Sequence, residues 1–177
     1  ACISAVLSPG RPRSFKPNAT MILPSAGCGK PVHALGHGAS AEPTVRVLVD
    51  LVIPKDDRSG SATEAGVPEF MDFMMVDQPA RQVAMRGGLR WLDTECRRRA
   101  GRTFLDAAAA ERTAILDEIA WPAKASPLLS QGVAFFNGFR DLTAGGFWSS
   151  KMGVDDLQYM GNVANPEWSG CPPEALA

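Results

Sequence analysis

The stretch that decides the fold is residues 131–173, QGVAFFNGFRDLTAGGFWSSKMGVDDLQYMGNVANPEWSGCPP. Its first part predicts a helix, because apolar residues recur at steps of three or four and therefore share one face. These residues are Val133, Phe136, Phe139 and Leu142. We expect the helix to end at the pair Gly145-Gly146. The aromatic residues that follow lie among Gly, Asn and Pro, a composition that suits a contact surface better than an independent core.

Length and charge restrict the classes of protein that fit this sequence. A chain of 177 residues suits one domain with one core. Its 18 basic and 19 acidic residues leave a net charge of -1, which argues against binding to nucleic acid or to an anionic membrane. The closest candidate for a membrane span, residues 45–53, is far shorter than the roughly 20 residues required and contains Arg46 and Asp50. We expect a soluble protein without direct membrane insertion.

The N-terminal part, residues 1–43, is rich in Pro, Gly, Ser and Ala and has no apolar periodicity. This composition predicts an extended arm. The fragment RPRSFK, residues 11–16, is a poor twin-arginine export motif, because a proline separates its arginines. An export signal is therefore not visible, and export would require a signal upstream of Ala1. We expect a helical domain over residues 44–145 and an irregular docking tail over residues 146–177.

Four more helices are predicted before the one at residue 131. Thr44 is a suitable N-cap for the first, which ends at Pro54, and Pro68 begins the second. The third runs from Pro79 to Arg99 and the fourth over about Ala108–Trp121. The apolar faces of the second and third comprise Phe70, Met71, Phe73, Met74, Val76, Val83, Leu89, Leu92 and Cys96. The predicted fold is all-α, about five helices in one small domain, with an irregular N-terminal arm and an irregular aromatic C-terminal tail.

A metal site is one candidate function. Cys28, His33 and His37 offer one thiolate and two imidazoles, which suit zinc. A fourth ligand is not obvious, and Gly36 and Gly38 oppose a helix that would bring both histidines onto one face. We favour solvated loop histidines. A stand-alone metal-binding protein or enzyme that uses this cluster remains the alternative.

Catalysis by other groups has little support in the sequence. Asp56 and Asp57 are adjacent in a loop rich in Gly and Ser, where aspartates usually stabilise turns. A nucleophile with an oriented base, or a complete cofactor site, is not recognisable at any convincing spacing. We therefore predict that this chain has no catalytic, cofactor-binding or metal-binding residues. A helical interaction module for an unrelated partner would also fit.

Seven blocks of sequence carry a resemblance to a known family. They are VDLVIPKDD (49–57), EAGVPEF (64–70), GGLRWLD (87–93), FFN (135–137), GFWSSKMG (146–153), QYMGN (158–162) and WSGCPPE (168–174). In this order and at this spacing, they resemble the gluconate 2-dehydrogenase subunit 3 family over residues 44–174.

The resemblance implies a small, cofactor-free, non-catalytic subunit that binds and stabilises a large flavoprotein dehydrogenase of the glucose–methanol–choline type. The large subunit would hold FAD and oxidise a sugar or sugar acid, and a c-type cytochrome often receives the electrons. The resemblance also implies a periplasmic complex, exported by the twin-arginine route, with the small subunit assisting the folding or export of its partner.

The C-terminal aromatic residues are the candidate contacts with that partner. Trp and Tyr are enriched in interface cores, because they combine a large contact area with a polar tip. The predicted partner-binding residues are Phe147, Trp148, Lys151, Tyr159, Asn162, Trp168 and Cys171. Alternatively, two or three of these aromatic side chains fold back onto the helices, and for Phe147 both interpretations stay open.

The four cysteines lie in different parts of the chain, and their positions predict different roles. Cys96 lies on an apolar helical face and is predicted to be a core residue. In an oxidising compartment, Cys2 and Cys28 would form an intramolecular disulfide. Cys171 then has no partner within the chain, and we predict an intermolecular disulfide from it to the flavoprotein. In a cytosolic protein, all four would be thiols.

Overall fold

Helix α5, Ser130–Ser149, is the central element of the fold. The computed structural model describes residues 41–159 together with Gly161 and Gly170. The other α-helices of this part all pack against α5. They are α1 (Ala41–Val52), α2 (Val67–Asp77), α3 (Arg81–Ala100), α4 (Ala109–Ala120) and α6 (Lys151–Asp156). A 3₁₀ turn precedes α5, and the described residues contain no strand, so the all-α prediction is confirmed.

One apolar cluster, to which α1 to α5 all contribute, forms the core. Phe104 is fully buried between α3 and α4, and its backbone N–H donates to Asp93 Oδ1 at 3.0 Å. Met71 and Met75 are buried in the core, where the flexible methionine side chain fills irregular space. Cys96 is also buried, which confirms its predicted core position, and burial raises the pKa of its thiol.

The predicted N-cap of α1 is wrong. The helix begins at Ala41, and Thr44 lies buried within it. Pro43 is tolerated there because the N–H groups of a first helical turn have no partner within the helix. The predicted end of α3 is close to the observed one, since Gly101 adopts a left-handed conformation with φ of +71° and ends the helix.

The predicted end of α5 at the glycine pair is also wrong. The helix continues through Gly145 and Gly146 to Ser149. A Cβ at position 146 would lie 2.7 Å from Cδ1 of Phe70 on α2, so the glycine permits close packing of the two helices. This tertiary contact outweighs the low helix propensity of glycine. Residues 146–156 of the predicted irregular tail are therefore almost entirely helical.

Three residues of the predicted apolar faces point away from the core. Phe73 and Val76 on α2 are exposed, and Val83 on α3 is 80% exposed. The predicted Met71, Leu89, Leu92 and Cys96 are buried, and so are Met75 and Met85, which were not in the predicted faces. The inward placements of Phe73, Val76 and Val83 are therefore wrong, because these residues lie on other faces of their helices than the buried Met71, Met75 and Met85.

An ionic cluster joins α3 to α4. Glu95 is buried and accepts hydrogen bonds from Arg98 at 2.6 and 3.0 Å and from Arg99 at 2.7 Å. Arg99 also donates to both carboxylate oxygens of Glu118 at 2.7 and 2.9 Å. The hydrogen bond from Arg98 is the largest cause that lowers the pKa of Glu95 to about 2. The basic run that follows Glu95 is thus a structural link between helices.

Candidate functional site

The described residues predicted to bind a partner lie at the junction of α5 and α6, residues 147–159, which we call the α5–α6 corner. Phe147 is fully buried. Its ring meets the indole of Trp148 edge-on, with ring centroids 4.9 Å apart and planes at 90°. Phe147 thus folds back onto the helices, as the alternative interpretation expected. Trp148 remains 39% exposed and presents part of its ring to the surface.

Contacts of Ser150 and Gly153 fix the turn between α5 and α6. The Ser150 hydroxyl donates to the Phe147 carbonyl at 2.7 Å and accepts from the Gly153 N–H at 3.1 Å. It therefore caps α6 and satisfies a backbone carbonyl near the end of α5. A Cβ at position 153 would lie 2.1 Å from the Phe147 carbonyl oxygen, so only glycine permits this approach. These contacts fix the backbone turn that follows Trp148.

A polar loop supports the other side of the corner. Arg58 donates to the Asp156 carbonyl at 2.7 Å, and its guanidinium lies 3.0 Å from Asp156 Oδ1. The loop is itself ordered by Asp56, whose carboxylate accepts the N–H groups of Arg58 and Ser59 at 2.8 Å each. These bonds, led by the one from Ser59, lower the pKa of Asp56. The predicted turn role is confirmed for Asp56.

The surface of the corner is apolar with a charged margin. Leu157 and Tyr159 are exposed, at 56% and 59%. Lys151 is exposed and forms an ion pair with Asp155 on the same helix. Gln158 has a φ of +53°, in the left-handed region, and the next N–H, of Tyr159, donates to the Val154 carbonyl at 3.1 Å. Sequence reasoning missed Leu157, although a large apolar residue directly after a short polar helix end was a usable signal.

Other predicted site residues lie outside the described residues. They are Cys2, Cys28, His33, His37, Asn162, Trp168 and Cys171. The proposed metal site, the two disulfides and the contacts from Asn162 and Trp168 therefore stay predictions. Within residues 41–159, His, Cys, Asp and Glu do not form a group of three that could hold a metal ion. Over the same residues, no helix combines the length and apolarity needed to cross a bilayer.

Together, the fold and the corner define a small all-α protein that displays an ordered aromatic surface at one helix junction. The sequence model of the family described as gluconate 2-dehydrogenase subunit 3 matches residues 39–166. Because the match covers more than half of the chain, the chain belongs to this family, and the resemblance found from its sequence blocks is confirmed. No curated protein and no solved structure matches the chain.

Proposed function

We propose that this chain is a non-catalytic small subunit that binds and stabilises a large FAD-dependent sugar or sugar-acid dehydrogenase. One observation carries the proposal: the family match spans every described helix, including the corner that exposes Trp148, Leu157 and Tyr159. Partly exposed Trp and Tyr side chains on a rigid support are typical anchors of protein interfaces. The corner is therefore proposed as a contact with the large subunit.

The proposal extends to the rest of the complex. The large subunit would be a flavoprotein of the glucose–methanol–choline type that holds the FAD, and a c-type cytochrome would accept its electrons. The complex would act in the periplasm after export by the twin-arginine route, and the small subunit would assist the folding or export of its partner. These features are supported by the family membership.

Purification of the tagged chain from its native host under non-denaturing conditions tests the central claim. The expected result is a larger protein with the visible absorption of a flavin, recovered at a fixed ratio to the chain. Recovery of the chain from its native host without a larger protein and without flavin absorption would contradict the proposal.

The role of the corner is tested by Trp148→Ala, with Trp121→Ala as the matched control. Trp121 is 65% exposed after the end of α4, outside the corner. Truncation of an interface anchor commonly weakens a complex by about thirtyfold or more. We expect loss of the flavoprotein with Trp148→Ala only. Equal recovery with both variants would remove the corner from the interface.

The disulfide predicted at Cys171 is tested by non-reducing electrophoresis of the same complex. One band that separates into two on reduction would support a covalent link. Two bands without reductant would exclude it.

A further inference from the structure

Helix α6 depends on contacts with the rest of the chain. It has only six residues, and isolated helices shorter than about 12–15 residues are marginal in water. The backbone that follows is tied to the same helix, because the Tyr159 N–H donates to the Val154 carbonyl at 3.1 Å. Leu157 and Tyr159, two exposed residues of the α5–α6 corner, therefore take their position from α6.

The carboxyl end of α6 is capped by a residue of a distant loop, residues 54–61. The carbonyl of a last helical residue has no partner within its helix, and Arg58 donates to this carbonyl of Asp156 at 2.7 Å. The Asp156 side chain is only 12% exposed, and its Oδ1 lies 3.0 Å from the Arg58 guanidinium. Removal of Arg58 would leave this carboxylate without its counter-charge, which is costly for a shielded group.

The loop is itself fixed to the core at its base. Ala62 is fully buried, and its N–H donates to the Ile53 carbonyl at 3.1 Å, which closes the loop. Gly60 adds a second contact with α6, since a Cβ there would lie 2.9 Å from Cε of Met152. The loop therefore connects α6 to the core through both a polar and an apolar contact, and Arg58 is 98 residues upstream of the residue that it caps.

We propose that Arg58 is a positioning residue for the contact with the large dehydrogenase subunit. It caps α6 at Asp156 and thereby determines the position of Leu157 and Tyr159 on the surface. The residues that determine partner binding therefore include the loop 54–61, far in sequence from the aromatic C-terminal part of the chain. This inference rests on the proposed function and names a residue on which the α5–α6 corner depends.

A direct contact between Arg58 and the large subunit is the competing explanation, because the Arg58 side chain is itself 68% exposed. The two explanations differ in the isolated chain. A positioning residue affects α6 before any partner is bound, whereas a residue that only contacts the partner does not.

Hydrogen exchange of the isolated full-length chain is the first test. Arg58→Ala should accelerate exchange of the backbone amides of residues 151–159 by about fivefold or more and leave the thermal unfolding of the chain close to that of the wild type. Arg97→Ala is the matched control, since Arg97 is also exposed and its ion pair with Asp93 lies within α3. It should leave exchange of residues 151–159 unchanged. Unchanged exchange there with Arg58→Ala, or acceleration across the whole chain, would overturn the inference.

A binding measurement connects this effect to the partner. Retention of the flavoprotein by each tagged full-length variant, in competition with the untagged wild-type chain, gives relative affinities. Arg58→Ala should weaken binding by about fivefold or more, and Arg97→Ala should not. In a chain that already carries Leu157→Ala, the effect of Arg58→Ala should shrink, because one side chain that it positions is missing. A loss by the same factor in both backgrounds would assign Arg58 an independent contact and overturn its positioning role.

The outcomes also distinguish this inference from the proposed function. If the wild-type chain recovers no flavoprotein, the proposed function fails and the inference fails with it. If the wild-type chain and Arg58→Ala recover the flavoprotein equally, only the positioning role of Arg58 fails.

Discussion

Adjacent glycines on α3 should respond in opposite ways to the same substitution. At position 87, a Cβ meets nothing within 4 Å, so Gly87→Ala should stabilise the isolated chain by about 0.5–1 kcal/mol through helix propensity. At position 88, a Cβ would lie 1.8 Å from Cδ2 and 2.0 Å from Cγ of Phe135. Carbon atoms in contact stay about 3.5–4.0 Å apart, so the ring must move by roughly 2 Å.

Rotation of the ring about its own axis cannot relieve this clash, because Cγ lies on that axis. Either Phe135 changes its χ1 rotamer or α3 and α5 move apart, and overpacking of this kind costs about 1–3 kcal/mol. Both substitutions gain the same helix propensity, so the difference between them isolates the packing term. Gly88→Ala should therefore unfold several degrees below Gly87→Ala.

Thermal and urea unfolding of the isolated chain, followed by circular dichroism, measures this difference. The double variant Gly88→Ala with Phe135→Ala provides the control, since removal of the ring should make Gly88→Ala as favourable as Gly87→Ala in the same background. Equal stability of the two single variants would refute the described packing of α3 on α5. A penalty that persists without the ring would refute the assignment to Phe135.

Three other predictions concern the ionic cluster, the corner and the buried thiol. Glu95→Gln should lower stability by about 2 kcal/mol at neutral pH, a value that allows for solvent screening of Arg98. The pKa of Glu95 is about 2 in the folded chain against an ordinary 4.5, so its carboxylate stabilises the fold fully above pH 4.5 and loses this effect as the pH falls toward 2. The free energies of unfolding of the wild-type chain and of Glu95→Gln, measured in urea, should therefore converge over this pH range. Gly153→Ala should destabilise the junction of α5 and α6 by about 3 kcal/mol or more, because the added Cβ would lie 2.1 Å from the Phe147 carbonyl oxygen. Faster hydrogen exchange of the backbone amides of residues 150–157 would show this loss of stability. In the native chain, Cys96 should resist alkylation and react only after unfolding, because its thiol is fully buried and burial raises its pKa. Mass spectrometry of the peptide that contains Cys96, before and after unfolding, would measure the alkylation.

Much of the architecture could be predicted from local pattern. The apolar steps at Val133, Phe136 and Phe139 indicate the central helix, and Pro68 and Gly101 lie near observed helix ends. These signals depend on residues within one or two turns of each other, and a single sequence contains them in full. Family membership was likewise accessible, since the order and spacing of the blocks are properties of the sequence.

The exposure of the candidate contact residues could be predicted only in part. Trp148 and Tyr159 are exposed as an interface residue should be, whereas Phe147 is buried, although Phe147 and Trp148 are neighbours in the same aromatic run. Which of the two faces outward depends on the rotation of α5, and that rotation is set by α2, α3 and α6. No periodicity within the run contains this information.

The sequence by itself determined an all-α domain, its main helices and its family, because helix propensity, turn residues and block order act locally along the chain. Only the tertiary structure decided the roles of the glycines. Gly146 and Gly88 lie within α5 and α3 because Phe70 and Phe135 occupy the space of a Cβ, while Gly87 and Gly138 face open space. Glycine thus ends α3 at position 101, permits close helix packing at positions 88 and 146, and faces open space at positions 87 and 138. The distinction lies in which distant side chain reaches each glycine, and that is fixed only when the helices pack.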